Sequence, residues 1–190
     1  ITKINSNKFK TNEIGVFLTL PLDSKTITKN ALIPQVLKRG TNNYQTQYEL
    51  GKKLEEMYGA YFNYGIEKVG DNIVLKFYIA SLCDEYVDDN LSQETMNLIL
   101  DIVFNPLLEN NMLKKLIESR KDDKSSYAYS RCIEEMFKDE PYGVYRLGNL
   151  KDFEQINSEN LYDYYKKLIS NCKIDIIING NDASKIEIPN

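Results

Sequence analysis

Histidine is absent from the chain, since none of its 190 residues is a histidine. Imidazole is the commonest ligand of catalytic zinc and the commonest general base near neutral pH. Its absence therefore excludes Ser-His-Asp triads, Cys-His dyads and histidine-based metal sites from these residues. A reaction catalysed by this chain would have to depend on other groups.

Cysteines are few and long apolar runs are lacking. Cys83, Cys132 and Cys172 are three in number and show no CxxC spacing, which argues against a disulfide framework and against a thiolate zinc site. We expect them to be small buried residues in a reducing, cytoplasmic setting. The sequence has no run of about 18 apolar residues that would indicate a membrane span, so no membrane partner is expected.

Neither sign of charge dominates the composition. Lys and Arg number 24, Asp and Glu number 28, and the formal net charge is −4. This balance gives no electrostatic reason to expect nucleic acid or an anionic membrane as a partner. The hydrophobic fraction of 42% is enough to bury a real core. We therefore predict a single compact domain over residues 1–190.

The hydrophobic pattern predicts both strands and helices. Strands are indicated in "ITKIN", "EIGVFLTLPL", "AYFNYGIEKV", "NIVLKFYIAS" and "CKIDIIING", with Gly70 and Asp71 joining the third and fourth as a hairpin. Helices are indicated around "NALIPQVLKRGT" and in "TQYELGKKLEEMYG", "SQETMNLILDIVFNPLL", "MLKKLIESRKDDKSSYAYSRCIEEMFK" and "SENLYDYYKKLIS". This order predicts an α+β domain of two layers, a mixed and mainly antiparallel sheet with helices packed on one face.

Polar residues before the first helix suggest where it begins. Ser24 or Asn30 is suited to cap it, because a short polar side chain can accept a hydrogen bond from the first turn. Pro34 lacks a backbone N–H, so the helix is expected either to begin within the turn before this residue or to be kinked.

Two later helices carry clearer start signals. Thr46 followed by Glu49 has the spacing of a capping box, and Ser158 is expected to cap the last helix. Tyr48 and Leu50 are predicted to face inward, together with Leu54 and Met57.

The order of elements and several local phrases resemble the N-terminal domain of insulinase/pitrilysin-type metallopeptidases. Members of that family carry an HxxEH helix, roughly "HLLEHMLFKGT", then a helix of the type "SxxELxxxLExxGG" and a hairpin. This chain has "ALIPQVLKRGT" followed by "YQTQYELGKKLEEMYGAYFNYGIEKVGDNIVLKFYIAS". Later, "PYGVYRLGNLKDFEQINSENLYDYYKKLI" is similar to a further phrase of the family. The resemblance covers nearly the whole chain and looks closest to a bacterial subgroup without the zinc motif.

The resemblance assigns the three positions of the motif to residues that cannot perform its chemistry. Placing "KRGT" on the family's "FKGT" puts Ala31 and Gln35 at the two zinc-binding histidines and Pro34 at the glutamate that activates water. Alanine has no donor atom, an amide is a poor zinc ligand, and proline has no acid-base chemistry. The resemblance therefore implies no catalytic residue, no metal and no other cofactor.

Two further groups of residues are candidates for a site. A distal acidic ligand of the family would fall among Glu118, Asp122 and Asp123, which equally suit a solvated helix face. Tyrosines at helical spacing either line a peptide chamber or pack in the core and at its rim; they are Tyr127, Tyr129, Tyr162, Tyr164 and Tyr165.

The resemblance implies an inactive domain that completes a peptide-binding chamber. In this family two halves close around a peptide, so we expect the 190 residues to be the first domain of a longer polypeptide and to pair with a zinc-containing relative or with a second copy. Three alternatives stay open. The chain is a stand-alone peptide-binding module, or an enzyme of unrecognised mechanism, or part of a peptidase whose zinc site lies elsewhere in the polypeptide.

Overall fold

The computed structural model describes residues 1–107, 124–138, 152 and 155–189. Its strands are β1 (Thr2–Asn5), β2 (Thr11–Pro21), β3 (Tyr61–Val69), β4 (Asn72–Leu82) and β5 (Lys173–Gly180). Its helices are α1 (Ile27–Leu37), α2 (Gln47–Glu56), α3 (Leu91–Phe104), α4 (Lys124–Met136) and α5 (Ser158–Asn171), and a 3-10 turn spans Asp84–Tyr86. Every predicted strand is found, and the predicted helices are found wherever they fall on described residues.

The strands form one sheet in the order β1-β5-β2-β4-β3. Strand β2 pairs antiparallel with β4 and β5, and β3 pairs antiparallel with β4, whereas β1 runs parallel to β5. The β3–β4 hairpin turns at Gly70, whose φ of +57° is a conformation that glycine adopts without strain. The predicted mixed, mainly antiparallel sheet is confirmed.

Side chains alternate between a covered and an open face of the sheet. On β4 the residues Ile73, Leu75, Phe77 and Ile79 are fully buried, and those between them are only partly buried. Helices α1 and α3 contact β4 on the buried side. On the other face Tyr61 remains exposed. Since successive side chains of a strand point to opposite faces, the described helices cover one face of the sheet, as predicted.

Helix α1 begins between the starts that the two predicted caps would give. Thr26 is the N-cap and makes no side-chain capping bond, and the carbonyl of Asp23 accepts the N–H of Thr26 (3.1 Å) and of Ile27 (3.0 Å). The capping predictions for Ser24 and Asn30 were therefore wrong, because a backbone turn satisfies the first amides. Pro34 lies inside the helix, so the alternative in which α1 begins just before this residue was also wrong.

Helix α2 confirms its predicted start and corrects one buried residue. Thr46 Oγ1 accepts the N–H of Glu49 and the Glu49 carboxylate accepts the N–H of Thr46, each at 3.1 Å. Leu50 is buried, but Tyr48 is 79% exposed. Residues two apart do not share a face of a helix, so a helix that packs through Leu50 turns Tyr48 to solvent.

Helix α5 is capped one residue earlier than predicted. Asn157 Oδ1 accepts the N–H of Asn160 at 2.9 Å, and Asn160 Oδ1 accepts the N–H of Asn157 at 3.2 Å. Ser158 is the first helical residue and is buried. The cap therefore consists of two reciprocal hydrogen bonds, each from the backbone N–H of one asparagine to the side-chain oxygen of the other. The predicted cap was the hydroxyl of Ser158 alone.

A buried carboxylate joins the ends of three strands. Asp182 is fully buried; its Oδ2 accepts from Asn12 Nδ2 (2.8 Å) and from the N–H of Asp84 (2.9 Å), and its Oδ1 accepts from Lys185 Nζ (2.7 Å). A Cβ on Gly180, whose φ is +143°, would lie 2.2 Å from Asn12 Oδ1. Burial acts to raise the pKa of Asp182, but these hydrogen bonds outweigh it and hold the pKa below its ordinary value of 3.8.

This carboxylate makes stability depend on pH. Because its pKa is lower in the folded than in the unfolded state, its contribution is complete above pH 3.8 and is lost as pH falls through the folded pKa. We expect Asp182→Asn to lower the free energy of unfolding near neutral pH by about 1–3 kcal/mol, since it removes the charge from these hydrogen bonds and sets an NH₂ group against the ammonium of Lys185. The variant should also lose less stability than the parent on acidification. Urea unfolding at pH 7 and at pH 3 measures both effects, with the exposed Glu55→Gln as control. An unchanged pH slope in Asp182→Asn would contradict this account.

Candidate functional site

The three positions of the motif lie on α1, which contacts β3 and β4. The prediction that this helix packs against the Ala60–Val69 and Asn72–Ser81 strands is confirmed. Ala31 is only 1% exposed and belongs to the core, and Pro34 is also buried. Gln35 is partly buried. Of the three side chains, only that of Gln35 makes a polar contact toward β3.

Gln35 is joined to β3 through a tyrosine. The hydroxyl of Tyr64, in the middle of β3, donates to Gln35 Oε1 at 3.4 Å. Lys38, one turn after Pro34, donates from its Nζ to the oxygen of the same hydroxyl at 2.6 Å. The ammonium also lies 4.9 Å from the centre of the Tyr64 ring, within the range of a cation–π contact. We call these three residues, Gln35, Tyr64 and Lys38, the Lys38 cluster.

The residues at the motif do not fit a zinc ion. Ala31 supplies no donor, Pro34 no base, and Gln35 only a neutral amide already bonded to Tyr64. The described residues contain no group of three or more cysteine, aspartate or glutamate side chains that could hold a metal. The ammonium of Lys38 would repel a dication at this place. Glu118, Asp122 and Asp123, the candidates for a distal ligand, lie outside the described residues.

The tyrosines of α5 pack against neighbouring helices. The hydroxyl of Tyr164 donates to Asn30 Oδ1 at 2.7 Å, and burial raises the pKa of Tyr164, against the opposite effect of its hydrogen bonds to Thr26 and Asn30. Tyr165 is 3% exposed, donates to the carbonyl of Val103, and has its pKa raised by burial. Two roles were predicted for the tyrosines, lining a peptide chamber or packing in the core and at its rim. Tyr164 and Tyr165 have the packing role.

The remaining candidate tyrosines are Tyr127, Tyr129 and Tyr162. Tyr162 and Tyr129 are 40% and 68% exposed, so both are open to solvent. The side chain of Tyr127 is not among those that the structure describes. The exposure of Tyr162 and Tyr129 does not indicate that either residue contacts the Lys38 cluster.

The cysteines are free thiols in three different environments. Cys83 is buried and Cys172 partly buried, and burial raises the pKa of both. Cys132 is exposed on α4, so the prediction of three buried residues was wrong for it. In the part of the chain that the structure describes, no helix is both long and apolar enough to cross a membrane.

A polar cleft of about 520 Å³ lies between α2 and the start of α3. It is bordered by the ion pair of Lys53 with Glu94, and the hydrogen bond that Lys53 donates to the Glu94 carboxylate raises the pKa of Lys53. None of the motif positions lines it. The cleft is therefore a surface feature separate from the Lys38 cluster.

The sequence prediction did not include Lys38 or Tyr64. A signal for Lys38 was present, because the family phrase "HLLEHMLFKGT" has phenylalanine where this chain has Lys38. A charged residue at an apolar position of a buried helix needs a partner. Which residue of the hairpin supplies that partner depends on the register of α1 against β3, and this was not predictable from spacing.

Comparison with known proteins agrees with this fold. No family model matches the chain. It is 30% identical, over 97% of its length, to a protein of Bacillus subtilis (strain 168) described as "Probable inactive metalloprotease YmfF". It spans about half of that relative, 47% of its length.

Two solved structures share the architecture. A conserved protein from Enterococcus faecalis V583 superposes with a TM-score of 0.83 and 25% identity, over 94% of this chain and 45% of that one. The periplasmic protease PqqL from Escherichia coli superposes with a TM-score of 0.71 and 11% identity, over 96% of this chain and 21% of that protein. The second likeness is one of fold alone.

Restoring the motif tests the assignment of these positions. The triple variant Ala31→His, Pro34→Glu and Gln35→His places two imidazoles one helical turn apart, and it should bind zinc more tightly than the parent. Adding Lys38→Met should tighten zinc binding roughly a further tenfold, because it removes the nearby positive charge.

The matched control for Lys38→Met is Lys29→Met. It removes a lysine of α1 whose ammonium lies over the ring of Tyr164. Isothermal titration with zinc on variants checked by circular dichroism makes the comparison. Equal and negligible zinc affinity in folded parent, triple and quadruple proteins would show that these residues do not occupy the ligand positions.

Proposed function

We propose that this insulinase-like chain, whose 190 residues contain no HxxEH motif, is a non-catalytic partner that completes a peptide-binding chamber. Its partner in this proposal is a zinc-containing member of the same family, with a second copy of this chain as the other possible partner. The ligand is a peptide held in extended form.

The observation that carries this proposal is the combination of an intact helix with a lost donor set. Nine of the eleven residues of α1 are buried, as packing requires, yet Ala31 and Pro34 provide neither a ligand nor a base. This packing keeps α1 in the core of the domain whether or not a metal is bound. Retention of the fold without the chemistry supports a role in binding and assembly.

The free edge of β3 supports a peptide ligand. Strand β3 is the last strand of the described sheet and pairs on one side with β4. Unpaired backbone groups on the other side can accept an extended peptide as an additional strand. Tyr61, at the start of β3, is 60% exposed and offers apolar area to such a ligand.

The length of the chain and its open sheet face support a partner. The chain spans 47% of its Bacillus subtilis relative, so the relative contains further structure that this domain would contact in the corresponding protein. On the uncovered face of the sheet, Ile177 is 36% exposed. A domain boundary or a subunit would bury such apolar surface. We also propose that the domain is the first of a longer polypeptide.

A stand-alone peptide-binding module is the second candidate, and the same free edge of β3 favours it. In that case the chain would bind peptide without any relative. Three free cysteines, one of them exposed, support a cytoplasmic location for either function, because an exposed thiol persists in a reducing compartment.

Co-expression with a zinc-containing family member from the same source tests the proposal. We expect the two chains to co-purify at a fixed ratio in size-exclusion chromatography with light scattering, and the peptidase activity of the relative to change when this chain is added. The relative with an unrelated protein of similar size is the control.

The outcomes separate the candidates. A monomeric chain that ignores the relative but binds peptides would support the stand-alone module and overturn the partner role. A chain that binds neither the relative nor peptides, and does not self-associate, would overturn both. Peptidase activity of this chain alone would contradict its non-catalytic character.

A further inference from the structure

The cation of the Lys38 cluster has no anionic partner within the described residues. The ion pairs of that part of the chain involve other lysines and Arg131, and the Lys38 ammonium instead contacts a neutral phenol. An ammonium group carries three donors, and the hydroxyl of Tyr64 takes one of them. Among the described residues, no acceptor takes its other donors.

The position of this ammonium is fixed by its neighbours. The hydroxyl of Tyr64 gives its own proton to Gln35, so its oxygen is turned to accept from Lys38. The ring of Tyr64 lies under the same ammonium at 4.9 Å. The side chain of Lys38 is partly buried. A positioned donor loses less conformational freedom on binding than a lysine that extends into solvent.

The cluster lies at the edge where a peptide would add to the sheet. Phe62, Tyr64 and Ile66 alternate along β3 and pack toward the core, which places their side chains on the face that carries α1. A strand added at this edge would run about 4.8 Å from β3, with alternate side chains on that same face. One of these side chains would lie beside Tyr64 and within reach of Lys38.

We propose that the Lys38 cluster is a subsite for the carboxylate of a glutamate or aspartate side chain in an extended peptide paired along β3. The carboxylate accepts hydrogen bonds from the ammonium of Lys38 and from the amide of Gln35. A side chain is favoured over the carboxyl terminus because Tyr64 lies well inside β3, so the paired peptide continues on both sides of it. This subsite rests on the proposed peptide-binding function.

The chemistry differs from that of a zinc site in one decisive way. A zinc ion polarises a carbonyl and activates water, whereas an ammonium and an amide only hold an anion. Partly buried charge-assisted hydrogen bonds contribute about 1 kcal/mol after screening, which corresponds to roughly fivefold in affinity. The subsite therefore selects among peptides and does not cleave them.

A defined peptide library tests this subsite. Acetylated and amidated octapeptides carry Glu, Gln or Lys at the fourth position and random uncharged residues elsewhere, and they are captured on the immobilised 190-residue chain. Enrichment over an unrelated immobilised protein is read by mass spectrometry. We expect Glu peptides to be enriched about fivefold over Gln peptides at low salt, with Lys peptides the least enriched and the preference reduced at high salt.

Variants of the cluster attribute the preference to Lys38. It should disappear in Lys38→Met and persist in Lys38→Arg and in the control Lys29→Met. Thermal unfolding verifies the fold of each variant. If Lys38→Met does not fold, Tyr64→Phe serves in its place, since it removes the hydroxyl that positions the ammonium and should reduce the preference.

Failure of the subsite and failure of the proposed function give different results. Capture of Glu and Gln peptides to the same extent overturns the subsite and leaves strand addition standing. A preference for Glu that survives Lys38→Met also overturns it. If no peptide is captured above the unrelated protein, peptide binding itself is wrong and the subsite falls with it.

Discussion

Burial of α1 between the sheet and α5 is the constraint on which the rest of the structure depends. Its buried residues include Leu32, Ile33 and Val36, and the helix contacts β3, β4 and α5. A helix that is apolar around most of its surface is held by packing from several sides. Its position therefore needs no metal, and substitution of the ligand positions leaves the hydrophobic core intact.

The same burial determines what lies at the positions that the resemblance assigns to a metal site. Ala31 and Pro34 merge into the core, whereas Gln35 and Lys38 face the hairpin and meet Tyr64. The outcome is a neutral amide and one fixed positive charge beside a free sheet edge. Such a place is unsuited to a dication and suited to an anion. The proposed recognition of a peptide rests on this arrangement.

The sequence predicted those features that depend on local chemistry. The capping box at Thr46 and the turn at Gly70 each involve a few adjacent residues, and both are confirmed. Tyr48 was placed inward as part of the apolar pattern of α2, but the helix packs through Leu50 and leaves Tyr48 exposed. Ser158 lost the capping role to its neighbour Asn157 for a similarly local reason, the reciprocal bonding of two amides.

The candidate site was only half predictable. The resemblance identified Ala31, Pro34 and Gln35 as positions without zinc chemistry, and the structure places all three on the helix that faces β3 and β4. The contact of Lys38 with Tyr64 joins residues 26 positions apart and depends on the register of a helix against a strand. Single-sequence patterns carry no information on that register, and the same holds for the buried bonds of Asp182 to Asn12 across the sheet.

Metal content is the most direct measurement of the central claim, which is that the fold persists without a zinc site. The chain would be purified in zinc-containing buffer, desalted, and measured by inductively coupled plasma mass spectrometry beside its Gln35→Ala variant. The account predicts far less than one equivalent of zinc in both proteins, because the described motif residues supply no adequate donor set. One tightly held equivalent in the parent, lost in Gln35→Ala, would contradict it.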